Sequence, residues 1–130
     1  MSHRILQPEG WARPRGYANG IEAAGRQVFV SGQIGWDAGQ RIVSDDFAAQ
    51  ARQALANIVA VLATAGAKPE QLVRLTWFVT SRDEYNAALT EIGAAYRELI
   101  GRHYPAMSVV VVAGLLEPRA KVEIEATAVI

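Results

Sequence analysis

The chain has 130 residues, enough for one domain with a real core and too few for two. With 51% hydrophobic and 20% charged residues it is a globular chain and not a disordered one. Thirteen basic residues balance thirteen acidic ones, so no net charge draws it to nucleic acid or an anionic membrane.

There are no cysteines, which excludes disulfides, a thiolate nucleophile and a cysteine zinc site. That fits a reducing cytoplasm. Met1 to Gly10 shows no apolar segment behind positive charge, so no secretory signal is expected. No apolar run approaches the roughly 20 residues that span a bilayer.

In chain order, Met1 to Arg15 carries Pro8, Gly10, Pro14 and scattered charge without a period. It reads as an arm with little regular structure. Tyr17 to Ala23 and Gln27 to Ser31 read as two strands of a short hairpin, turned at Ala24-Gly25-Arg26. Gly35 to Gln40 is turn-like, and Arg41 to Val43 suggests a brief strand. A helix follows: Ser44 as its cap, Asp45 and Asp46 near its positive end, Gly66 as its stop. Phe47, Ala51, Leu55, Ile58 and Leu62 recur at helical spacing and form one apolar stripe.

Leu72 to Thr80 is rich in Val, Thr, Trp and Phe and predicts a strand. Ser81 and Glu84 form a capping box for a second helix, with the stripe Tyr85, Leu89, Ile92, Tyr96, Leu99 and a stop at Gly101. Met107 to Ala113 and Lys121 to Ile130 predict two closing strands around a Gly114–Arg119 loop. The order strand-strand-helix-strand-helix-strand-strand implies a two-layer α+β domain over residues 1–130, a mixed sheet with two helices on one face. Trp36, Trp77, Tyr104 and Met107 are more apolar bulk than that core requires. They suggest an apolar second sheet face covered by a partner in a closed oligomer.

The last strand alternates, with Glu123, Glu125 and Thr127 opposite Val122, Ile124, Ala126 and Ala128. Two carboxylates on one strand face either hold a water and exchange protons with it or make surface ion pairs to Arg119 or Lys121. Ser31-Gly32-Gln33 ends a strand; the glycine serves either a turn or a close backbone approach to a ligand. His103 beside Tyr104-Pro105 is either a surface or interface residue or a proton shuttle. His3 and His103 lack ligand spacing, and no metal site is expected.

Read together, several segments resemble the RidA/YjgF family, also labelled L-PSP endoribonuclease-like. They are Gly16-Tyr17, Val30-Ser-Gly-Gln-Ile34, Gln50-Ala-Arg-Gln-Ala-Leu-Ala-Asn57, Val59-Ala-Val-Leu62 with Ala65-Gly66, Tyr104-Pro-Ala-Met-Ser108 and Lys121-Val-Glu-Ile-Glu-Ala126. The resemblance implies a chorismate-mutase-like subunit, a homotrimer whose sheets close into a central barrel, and small-molecule clefts between neighbours. It implies hydrolysis of reactive enamines or imines to a carbonyl compound and ammonia, with no metal or organic cofactor.

Carried over by position, Glu123 matches the carboxylate that orients the attacking water. Tyr17 matches a cleft tyrosine, and Ser31 and Gly32 match the backbone stretch that contacts substrate. Met107 departs from the pattern, because the family's deaminases place there an arginine that pairs with the substrate carboxylate. Losing such a pair costs about 2–5 kcal/mol. The substrate expected is therefore different from 2-aminoacrylate, either larger or aromatic, with Met107, Tyr104 and Trp77 as an apolar wall. Arg13 or Arg15 is the candidate substitute for the missing cation. The alternative is a non-catalytic trimeric binding or regulatory member. Balanced charge and the lack of a catalytic histidine pair weigh against ribonuclease action.

Overall fold

The computed structural model describes residues 3–130; Met1 and Ser2, at the start of the expected arm, lie outside them. In chain order the strands are β1 (Arg4–Leu6), β2 (Gly20–Glu22), β3 (Gln27–Ile34), β4 (Leu72–Val79), β5 (Ala106–Val111) and β6 (Val122–Val129). The helices are α1 (Phe47–Thr64), α2 (Arg82–Ala87) and α3 (Leu89–Leu99), with a 3-10 turn at Pro69–Gln71. Four strands form the main sheet in the order β3-β6-β4-β5, with β5 parallel to β4 and the other pairs antiparallel. The helices pack on one face, so the architecture is the two-layer α+β form that the order of elements implied.

The core follows the two periodicities. Ala51, Leu55, Ile58 and Leu62 of α1 are buried against Leu75, Trp77 and Val79 of β4 and Val122, Ile124, Ala126 and Ala128 of β6. Each large aliphatic side chain so buried contributes about 1.5–3 kcal/mol. Gln50 is the buried polar exception, 0% exposed. Its amide donates to the carbonyls of Ser44 (2.8 Å) and Arg119 (3.0 Å) and its oxygen accepts from Lys121 N (2.8 Å), so one side chain ties α1 to the approach of β6. Gly35 lets that junction close: a Cβ there would stand 2.6 Å from Gln50 Cα.

Several local expectations are corrected. The hairpin does not form, because β2 pairs with β1 and β3 takes β6 as its partner. Arg26 and Ile130 exchange backbone hydrogen bonds of 2.9 and 2.8 Å at the end of that pairing, and Gly25, at φ 145°, lies against the Ile130 carbonyl. Alternation fits a strand for pairing without naming its partner. The arm is also more regular than expected, since Arg4 to Leu6 pairs with Gly20 to Glu22 and Arg4 bridges Glu22 at 3.0 Å. At Arg41 to Val43 only a single Trp36–Ile42 bridge forms.

The cap of α1 is Asp46 rather than Ser44: the Asp46 carboxylate accepts from Ala49 N at 3.0 Å, and Ser44 Oγ accepts from Asp46 N. At α2 only half of the capping box is made. Ser81 Oγ accepts from Glu84 N at 3.1 Å, while the Glu84 carboxylate pairs with Lys121 Nζ at 2.9 Å. The expected second helix breaks at Ala88, which turns Leu89 out to solvent. The break lets Tyr85 set its ring edge-on to Phe47 and Trp77, both at 6.2 Å, while Ile92 and Tyr96 face α1.

The second sheet face also differs from the expected one. Trp77 is 2% exposed and lies on the helix side, and Tyr104 and Met107 pack against the same core. The face away from the helices is instead mixed in character, with Phe29, Ser31, Arg74, Thr76, Glu125 and Thr127 lining a shallow hollow there. Phe29, 71% exposed, is the large apolar side chain of that hollow, and Phe78, beside Glu123, adds another to the same face.

Candidate active site

Glu123 lies on β6 between Ile34 of β3 and Phe78 of β4, on the face away from the helices. Opposite it β3 carries an irregularity. Val30 pairs with Ala126 and Gln33 with Ile124, so three residue steps on β3 match two on β6. That is a β-bulge, and Ser31-Gly32 is its content. The Glu123 side chain lies across Gly32: a Cβ at that position would stand 2.7 Å from the carboxyl carbon. The close-approach reading of Gly32 therefore describes its place, and the neighbour it admits is a carboxylate of the same chain. Ser31 Oγ and its carbonyl both accept from the Gln33 amide, at 3.2 and 3.3 Å.

Tyr17 is held elsewhere. Ala18 N donates to the Pro105 carbonyl at 3.0 Å, and Ala18 bridges Ala106 at the start of β5. This clip seats the end of the arm beside β5. Tyr17, 42% exposed, then lies between two open grooves. The smaller, of about 250 Å³, is lined by Arg15, Gly16, Tyr17, Tyr85, Met107 and Val109. The larger, of about 620 Å³, runs between the arm and the turn at His103-Tyr104.

The structure thus brings Ser31, Gly32 and Glu123 together in one place and Tyr17 and Met107 in another. Within one chain the two groups are separate, with β4 standing between β6 and β5. Trp77 reaches neither groove. Its indole lies in the core on the helix side, and its Nε1 is buried without a hydrogen-bond partner. Tyr104 lines the larger groove and stacks on Tyr96, centroids 5.4 Å apart.

Of the two candidate substitute cations, Arg15 shares a groove with Met107 and Arg13 lines the larger one. His103 is tied down structurally: Nε2 lies 2.6 Å from the Leu72 carbonyl, and its own carbonyl accepts from Tyr96 Oη at 2.6 Å. Burial, with the neighbouring Tyr104 phenol, pushes the Tyr96 hydroxyl well above the ordinary tyrosine range. Tyr85, which forms a wall beside Met107, was legible in the sequence only as one position of a helical stripe. Among the described residues no three His, Asp or Glu side chains cluster closely enough to hold a metal ion. No helix among them is long and apolar enough to cross a membrane.

Residues 11–130 match the family described as Endoribonuclease L-PSP. The 2-iminobutanoate/2-iminopropanoate deaminase of Salmonella typhimurium is 37% identical over 132 residues, covering 99% of this chain and 98% of the relative. Among solved structures, the Rid-family protein YyfB of Yersinia pestis superposes with a TM-score of 0.86 at 36% identity, covering 100% of both chains. The YjgF gene product of E. coli gives 0.67 at 35% identity over 87% of each. With a match spanning both the Glu123 bulge and the Tyr17–Met107 groove, the chain belongs to the Endoribonuclease L-PSP family, the RidA/YjgF proteins.

Proposed function

We propose that the protein hydrolyses a reactive imine or its enamine tautomer to a carbonyl compound and ammonia. We further propose that its catalytic clefts form between copies of the chain in a homotrimer. The observation that carries this reading is the Glu123 carboxylate seated across the Gly32 bulge, in a chain whose relatives include a 2-iminobutanoate/2-iminopropanoate deaminase. An imine carbon is already electrophilic. A carboxylate that takes a proton from water delivers hydroxide to that carbon, and the carbinolamine forms. Returning that proton to nitrogen completes the carbinolamine. The carboxylate then carries the hydroxyl proton to the same nitrogen, ammonia leaves as the C–N bond breaks, and the carbonyl remains, so water and imine account for all atoms.

In this reading Glu123 holds and deprotonates water, and the Ser31-Gly32 backbone binds the polar end of the substrate. A neighbouring copy supplies Tyr17 and Met107, because one chain keeps the two groups apart. Met107 offers an adaptable apolar surface and no charge. It favours an imine whose substituent is larger and more apolar than that of the small amino-acid-derived imines, and Tyr104 flanks the approach. Trp77 supports that wall from beneath, as core.

Ammonia release from a panel of imines generated in situ tests the reading. Turnover is expected with bulky or aromatic imines, and Glu123→Gln should lower kcat by about 10²–10⁴-fold. Absence of ammonia from every imine in the panel would leave a non-catalytic binding protein and sink the proposal.

A further inference from the structure

The larger groove shares Tyr17 and Tyr104 with the proposed cleft, but its arm wall and Arg102 have no part in the deaminase reading. One wall is the arm, with Ile5, Trp11 and Arg13; the other is the turn from α3 to β5, with Arg102, His103 and Tyr104. Its volume of about 620 Å³ falls within the range of small-molecule pockets. Both walls are braced. On the arm, the Gln7 amide donates to the Trp11 and Ala12 carbonyls, both at 3.2 Å, and Asn19 donates to Gln7 Oε1 at 2.8 Å. On the opposite side Tyr104 stacks on Tyr96, and His103 is bonded to Leu72.

The charge in this groove is one-sided. The whole chain is balanced, yet the lining holds two arginines and neither an aspartate nor a glutamate. Among the described residues neither Arg13 nor Arg102 makes an ion pair or a side-chain hydrogen bond, a state they share with most of the chain's arginines; what sets them apart is that they line one groove together. Beside them Trp11 stands 61% exposed, an indole that no core requires. Two unpaired guanidinium groups and an open aromatic face on a braced frame complement a flat ring that carries negative charge.

We propose that the groove between the N-terminal arm and the His103-Tyr104 turn binds a flat aromatic carboxylate. Its carboxylate lies between Arg13 and Arg102, and its ring rests against Trp11. The site is distinct from the Glu123 bulge and does not depend on turnover.

Calorimetric titration of the full chain with three probes tests it: indole-3-acetate, tryptamine (the same ring with positive charge) and acetate (the charge without the ring). Indole-3-acetate should bind with a Kd below about 1 mM and at least about tenfold more tightly than either of the others. Arg13→Gln and Arg102→Gln should each weaken it about tenfold, and Trp11→Ala comparably, with thermal melts unchanged. Glu123→Gln should retain full binding, which separates this site from the deaminase reading. Equal binding of tryptamine, or affinity indifferent to both arginines, overturns the proposal. So does a failure of all three probes to bind. If no probe binds and Trp11→Ala alters the sedimentation mass, a second copy of the chain occupies the groove instead.

Discussion

At the scale of single residues the proposed chemistry turns on what Gly32 omits. Its φ is not in the left-handed region, so alanine fits the backbone, and the obstacle is the Glu123 carboxylate lying over its Cα. That carboxylate ends a flexible side chain and can swing aside. Gly32→Ala should therefore leave the melting temperature nearly unchanged and lower kcat by about 10²-fold, as expected of a misplaced catalytic group. A fall in stability with kcat intact would show that the glycine serves the bulge and not the carboxylate. Tyr96 makes a second residue-scale prediction. Its folded pKa is raised, so its contribution to stability is fully present below the unfolded value near 10 and is lost as pH rises above it. Denaturation midpoints measured between pH 8 and 11 should fall on the alkaline side, and Tyr96→Phe should flatten that fall. The same variant should lower stability at neutral pH through loss of the bond to the His103 carbonyl.

At the scale of elements, helix and strand existence was legible because period and capping are local. The α1 stripe, the Gly66 and Gly101 stops and the alternation of β6 all stand where the residues put them. Pairing was not legible. Nothing in Gly20 to Glu22 distinguishes β3 from β1 as its partner, and nothing in a helical stripe announces the break at Ala88. Gln50 shows the same limit: it reads as an ordinary helix glutamine, yet it holds three backbone groups of two distant segments. Gln50→Leu would leave those groups buried and unsatisfied. It should destabilise the fold by about 3 kcal/mol, read as a melting temperature lower by roughly 10 °C. A shift within about 2 °C would mean water replaces the amide without loss.

At the scale of the whole molecule, the two halves of the proposed cleft lie apart in one chain, and in the proposed homotrimer a neighbouring copy joins them. Glu123→Gln and Tyr17→Ala should each be nearly inactive alone. Unfolded together and refolded as a mixture, they should regain part of the wild-type rate, since some clefts then combine a native Glu123 with a native Tyr17. No recovery in verified mixed oligomers would mean that each chain carries its whole site. The proposed role of Met107 belongs to this scale too, because it concerns which substrate the assembled cleft would admit. Met107→Arg should raise kcat/KM for small carboxylate-bearing imines by about tenfold or more, and lower it for bulky ones.

Family and fold class were already present in the chain as ordered segments, and so was the glutamate proposed to handle water, because each depends on residue identity at a given place. The methionine at position 107, where the resemblance implies an arginine, was legible for the same reason. The tertiary structure decided which face each aromatic occupies, and it moved Trp77, Tyr104 and Met107 from an imagined outer face to the helix side. It also decided that Gly32 makes room for Glu123, and that Arg13 and Arg102 share a groove with no carboxylate among its described lining residues. These are relations between residues far apart in sequence. Strand pairing and packing create them, and no local pattern encodes them.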